Sequence, residues 1–162
     1  LFAICVGGVI AIFVIGHFEA SLQQISYLAA FIPVIMGMGG NVGIQSSTIV
    51  VRGLATGRIH IQDLWRVVSK ELAVGLILGV VYGCLLAALA QFQYSVAGFS
   101  LAVSMGVLSS MSVAALIGSL LPMLFARINV DPAVATGPFV TSAIDIVSVF
   151  FYFQLATFLL GI

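Results

Sequence analysis

The sequence predicts an all-α membrane protein, a bundle of five transmembrane helices, and three observations predict it. Of the 162 residues, 62% are hydrophobic and only 6% charged, with a mean hydropathy of +1.31. A water-soluble domain carries about a quarter charged residues, so the solvent that suits this composition is lipid. The apolar residues fall into five long runs, and at about twenty residues per span the length accommodates five helices with short connections. Those runs are too continuous for a β-barrel, whose strands alternate over about ten residues. Finally, the basic residues occur only in alternate connections, as an odd number of spans requires. A net charge of zero leaves no electrostatic footprint for nucleic acid.

Segment one runs from Leu1 to about Phe18 and ends at Glu19, a marker of the aqueous boundary. It has no basic n-region and no small-residue cleavage site, so it reads as a true span and not a signal peptide. The chain opens inside this apolar run without an initiator Met, as a fragment would, and soluble domains are expected outside it. Segment two, from about Leu22 to Val51, contains Pro33 and GMGGNVG at 37–43. Glycine at that density weakens a helix and reads as a break where backbone approaches a neighbour or an ion. The stretch 52–66 is the one long polar connection. Segment three (about Leu64 to Ala90) carries a doubled GxxxG at Gly75, Gly79 and Gly83. Segment four (about Phe99 to Phe125) repeats the small-residue spacing at Ser110, Ala114 and Gly118. Both predict close helix packing. Segment five runs from about Pro132 to Ile162. Cys5 and Cys84 lie in separate spans with no CxxC, and are read as small packing residues.

Arg52, Arg58, Arg66 and Lys70 flank the connection between segments two and three, and Arg127 follows segment four. The connections at Glu19 and at 91–99 have no Lys or Arg. The positive-inside rule then places the N-terminus in the cytoplasm and the C-terminus outside.

Two polar stripes interrupt this apolar sequence. Asn41, Gln45, Thr48 and Arg52 in segment two, and Thr141, Asp145, Ser148 and Tyr152 in segment five, share the spacing i, i+4, i+7, i+11. Each set lies along one helix face. Asn41 is eleven residues from Arg52, roughly 16 Å in, and Asp145 is fourteen residues from Asp131, roughly 21 Å in from the same side. The two therefore meet near mid-membrane. Ser148 or Thr48 alone would serve as hydrogen-bonding glue between helices. Asp145 is different: no basic residue lies within fifteen positions, and a carboxylate at that depth costs roughly 2.5–3.5 kcal/mol. An unpaired acid opposite a glycine- and Asn-containing wall points to a cation path.

The ligands at this level are carboxylate, amide, hydroxyl and carbonyl oxygens, which suit Mg²⁺, Ca²⁺ or Mn²⁺ and not Cu⁺ or Zn²⁺. One carboxylate and one amide are too few to strip Mg²⁺ of its waters, so the inventory suits a hydrated ion. A homodimer with its two-fold axis along the pore would bring two copies of Asp145 to one divalent ion. No paired acid, Ser–His or Cys–His set or HExxH motif is present, so the sequence does not read as an enzyme.

The stretches PVIMGMGGNVGIQSSTIVVRGLATGRI (33–59), LWRVVSKELAVGLILG (64–79) and DPAVATGPFVTSAIDIVSVFFYF (131–153) together resemble the transmembrane domain of the MgtE magnesium channels. The resemblance covers essentially all of 1–162 as one pore domain. It implies five spans per subunit and a homodimeric pore in the cell membrane, lined by segments two and five and conducting Mg²⁺ into the cytoplasm. It also implies hydrated Mg²⁺ held at Asp145, helped by the Thr141 carbonyl one turn earlier, with Gly40 and Asn41 on the facing wall. Bacterial members carry a cytosolic N-terminal domain and CBS modules that sense Mg²⁺ and gate the pore; residues 1–162 hold neither, and such regulatory domains are the expected partners outside them. Three other readings stand beside this one: a transporter exchanging Mg²⁺ for Na⁺ or H⁺, a less selective divalent channel, and a membrane assembly subunit whose stripes are packing seams.

Overall fold

In hydrocarbon a backbone N–H or C=O has no water to bond, so each apolar run closes its hydrogen bonds along itself. The computed structural model describes residues 2–18, 28–135 and 137–161, and five α-helices lie among these described residues. They are α1 (Phe2–His17), α2 (Leu28–Ala55), α3 (Leu64–Tyr94), α4 (Ala97–Arg127) and α5 (Pro138–Leu160), with 3₁₀ turns at Ile61–Asp63 and Pro132–Ala135. No strand occurs among the described residues. The last four helices are long and apolar enough to cross a membrane. The 16 residues of α1 reach roughly 24 Å, short of a hydrocarbon core of about 30 Å. The expected boundary at Glu19, the start of segment two at Leu22 and the end of segment five at Ile162 lie outside the described residues.

Lipid offers helices no hydrophobic drive to associate, so they approach wherever small side chains let backbones touch. Helix α4 exploits this on two faces. Gly75, Gly79 and Gly83 of α3 lie against Ala115, Leu108 and Ser104 of α4 in that order, so the two helices run antiparallel. On its other face Gly118 of α4 meets the backbone of Gly43 in α2, where an added Cβ would lie 3.0 Å from the Gly43 Cα. The doubled GxxxG and the Ser110–Ala114–Gly118 row are thus packing seams, as the spacing predicted. The pairs Leu28–Tyr152, Gly39–Ser148 and Gly40–Asp145 set α2 antiparallel to α5. Gly7–Ser142 and the stacked Phe18–Phe153 rings (5.1 Å) set α1 parallel to it. Directions therefore alternate along the chain, as consecutive spans require. The two connections 56–63 and 128–137 meet at one end of the bundle around a cavity of about 1170 Å³ lined by Leu54, His60, Asn129 and Asp131. All five Lys and Arg sit in or beside those connections.

Three expectations need correction. First, α2 runs unbroken from Leu28 to Ala55, straight through 37–43. Glycine costs a helix roughly 0.5–1 kcal/mol per residue, but opening the backbone in lipid leaves polar groups unpaired at several kcal/mol each. The glycines serve as contact points: Gly39 and Gly43 are buried against Ile144. Second, α5 begins at Pro138 and not at Pro132, because Pro132–Ala135 is a 3₁₀ turn and Gly137 takes φ 69° before Pro138 opens the helix. Asp145 is therefore only seven residues along α5, yet it borders Gly40, which stands fifteen residues or roughly 22 Å from the Ala55 end of α2. The expected level of the acid agrees with the structure, while the start of its helix does not. Third, Cys5 and Cys84 are exposed on the outer faces of α1 and α3, so neither is a packing residue within the subunit.

Candidate cation site

Ile144 sets the geometry of the site. Its side chain packs on the strip of α2 backbone left bare by Gly39 and Gly43, and it is fully buried there. One helical step of about 100° turns the next residue, Asp145, away from that seam toward the subunit surface. Gly40 follows Gly39 by the same step, and an added Cβ at Gly40 would lie 3.9 Å from Asp145 Oδ1. The bare backbone of α2 thus borders the carboxylate. Thr141 lies one turn earlier on α5, its hydroxyl donating to the Gly137 carbonyl at 3.2 Å.

Met36, Gly37, Gly40, Asn41, Ile44, Thr141 and Asp145 line one groove of about 250 Å³ between α2 and α5. Gly37, Asn41 and Ile44 are exposed, so the groove opens on the outside of the subunit and has one side uncovered. All four sequence-predicted residues, Gly40, Asn41, Thr141 and Asp145, are brought together in it. No basic side chain lines it. The walls offer one carboxylate, one amide and one hydroxyl, all hard oxygen groups fitted to divalent cations of the Mg²⁺ kind. Among the described residues no three His, Cys, Asp or Glu side chains gather to form a dehydrating cage.

The polar stripes do not survive whole. Ser148 is buried, and its hydroxyl accepts from Ser110 Oγ at 2.8 Å. Ser110 Oγ also reaches the Ile35 carbonyl at 3.1 Å, so one residue of α4 ties α2 to α5 a turn beyond the groove. Tyr152 is buried and donates to the Leu28 carbonyl at 3.1 Å. The half of the α5 stripe beyond Asp145 is therefore a seam covered by α2 and α4, and the half at Thr141 and Asp145 is open. On α2, Gln45 faces a separate hollow of about 330 Å³ shared with Met38, Asn41, Leu78 and Tyr82. Asn41 borders both.

Sequence reasoning missed the Ser46–Glu71 link, in which Ser46 Oγ of α2 donates to Glu71 Oε2 of α3 at 2.8 Å. The signal was present: Glu71 is the second acid inside an apolar segment, and an acid there needs a donor. The Ser110–Ile35–Ser148 knot was half-visible in the small-residue row containing Ser110.

Comparison with known proteins gives the family of the chain. Residues 32–155 match the family model for MgtE, described as a divalent cation transporter. The magnesium transporter MgtE of Enterococcus faecalis is 37% identical over 145 residues, covering 88% of this chain and 32% of its own length. That of Thermus thermophilus is 34% identical over 156 residues, covering 94% and 34%, and that of Bacillus subtilis 31% over 150 residues, covering 93% and 33%. The chain spans about a third of the length of these relatives. The matched segment includes α3, α4, both walls of the groove and the acid between them, and the chain belongs to the MgtE family of divalent cation transporters.

Proposed function

We propose that this chain is one subunit of a homodimeric channel that conducts hydrated Mg²⁺ down its electrochemical gradient into the cytoplasm, with the groove at Asp145 as one wall of the pore. The observation that carries this reading is the open-sided groove itself, in which a carboxylate with no basic neighbour stands with Asn41 and Thr141 over the buried backbone at Gly40. A second copy related by a two-fold axis closes the open side and supplies a second carboxylate, so two negative charges face one divalent ion. Asp145 recruits the ion; Asn41, Thr141 and the backbone at Gly40 bond its water shell, which Mg²⁺ gives up reluctantly. In this reading the end carrying all five basic residues is cytoplasmic.

Relatives named as magnesium transporters support Mg²⁺ as the cargo. The unbroken α2 favours a channel over an exchanger of Mg²⁺ for Na⁺ or H⁺, since discontinuous helices are the usual mark of the latter. The test is growth of Mg²⁺-auxotrophic cells at low Mg²⁺ with Asp145→Asn, which keeps shape and removes charge, and Asp145→Ala. Both are expected to abolish rescue at wild-type membrane levels, and undiminished growth would overturn the assignment. Reversal potentials in planar bilayers separate the two transport modes, because a coupled exchanger gives no large uncoupled Mg²⁺ current.

A further inference from the structure

A second cleft, sharing no residue with the Asp145 groove, lies at the end of the bundle that carries the basic residues. It measures about 370 Å³ and lies between the end of α2, the polar connection and the first turns of α3. Arg58, Arg66 and Lys70 line it, together with Asp63 and Glu71. Each acid holds one neutral donor, Asp63 Oδ2 accepting from the His60 backbone N–H at 3.1 Å and Glu71 Oε2 from Ser46 Oγ at 2.8 Å, and neither donor cancels the acid's charge. Three cations against two carboxylates leave the lining with a net charge of +1, and the cations outnumber the acids.

The cleft is built and not incidental. Gly57 at φ 69° reverses the chain after α2, and the backbone N–H groups of Arg58 and Ile59 both donate to the Gly53 carbonyl, at 2.9 and 3.1 Å. That turn holds Arg58 over the start of α3. Arg66 and Lys70 are one turn apart on α3 and share a face. Beside them Trp65 is 80% exposed, the position of an indole that sits at the headgroup level of a bilayer. Onward from Lys70, α3 presents a continuous apolar face, with Ile77 at 64% and Leu89 at 59% exposure. Along α3 Trp65 and Arg66 come first, then Lys70, then the apolar track, so the cations stand above the apolar face as a phospholipid's phosphate stands above its acyl chains.

We infer that this cleft binds the headgroup phosphate of an anionic phospholipid through Arg58, Arg66 and Lys70, with the acyl chains lying along α3. The ion path does not enter this assignment, since no residue of the Asp145 groove lines the cleft. A basic side chain near an anionic membrane surface contributes about fivefold in affinity.

The experiment is native mass spectrometry of the full-length protein in neutral detergent, titrated with phosphatidylglycerol or with phosphatidylcholine of the same chain length. Phosphatidylglycerol is expected to bind at least tenfold tighter. The triple variant Arg58→Gln, Arg66→Gln, Lys70→Gln is expected to lose that preference, by about fivefold for each cation removed, and Arg66→Lys with Lys70→Arg to keep it. Equal binding of the two lipids, or a triple variant that still prefers phosphatidylglycerol, overturns the inference. So does displacement of the lipid by millimolar glycerol phosphate, which would assign the cleft to a soluble phosphate. Should the triple variant lose its monodisperse elution profile, Arg58→Gln and Lys70→Gln are read singly, and unchanged phosphatidylglycerol binding in both refutes it.

Discussion

Replacing Gly118 with Ala tests the packing that holds the groove's rear wall. The added methyl has nowhere to go: it would lie 3.0 Å from both the C and Cα atoms of Gly43, and closer still to the Gly43 carbonyl oxygen. These are backbone atoms in the middle of α2, so no side chain can rotate away, and α2 and α4 must separate by several tenths of an ångström. Overpacking of this kind costs about 1–3 kcal/mol, while Gly→Ala returns about 1 kcal/mol of helix propensity. The net effect is a loss of up to about 2 kcal/mol, or up to roughly 8 °C in Tm for a chain of this length. Gly37→Ala is the internal control, since nothing lies within 4 Å of its added Cβ and only the propensity gain of up to about 1 kcal/mol remains. Thermal scanning of purified protein by size-exclusion recovery reads both. A Gly118→Ala protein as stable as the Gly37→Ala protein, or a Gly37→Ala protein less stable than wild type, would refute the reasoning.

Three further outcomes follow from the same contacts. Ser110→Ala removes the hydroxyl that donates to Ile35 O and pairs with Ser148 Oγ, and is expected to lower stability by roughly 0.5–1.5 kcal/mol in the same thermal assay. Tyr152→Phe keeps the ring and loses only the bond to Leu28 O, so a loss of about 1 kcal/mol without loss of fold is expected, checked by Tm and elution profile. Glu71→Gln retains an acceptor for Ser46 and should leave Tm within about 0.5 kcal/mol of wild type, whereas Glu71→Ala strands the hydroxyl and should cost about 1–3 kcal/mol.

How far the fold was legible in the sequence follows from which signals are local. Helix identity and direction could be read because hydropathy and the alternation of basic connections depend on composition alone. The glycine seams could be read because GxxxG spacing places small residues on one face whatever the partner. What the spacing cannot give is the partner's identity, and this is where the reading of α2 failed. Gly39 and Gly43 look like a helix break in isolation, and only Ile144 across the seam makes them a landing strip within an intact helix. The start of α5 was misplaced for a similar reason: Gly137 at positive φ and the 3₁₀ turn before it shorten the helix, and neither imposes a period on the sequence. The four groove residues were found despite both errors, because an acid with no cation in its span must face an opening, and the bare positions on α2 supply one. Ser148 and Tyr152 share that periodicity yet lie in the covered half, a distinction set by where α4 crosses and not by spacing.

The central claim is that Asp145 holds a hydrated Mg²⁺ on the two-fold axis of a homodimer. Its most direct measurement is the position of divalent-ion density in a structure of the dimer solved in Mg²⁺. The account predicts density on the axis between the two Asp145 side chains, more than about 3.5 Å from their carboxylate oxygens, so that a water layer lies between. Density about 2.1 Å from a single Asp145 carboxylate, the distance of direct Mg²⁺ ligation, or a dimer in which the groove is closed by another helix and holds no ion, would contradict it.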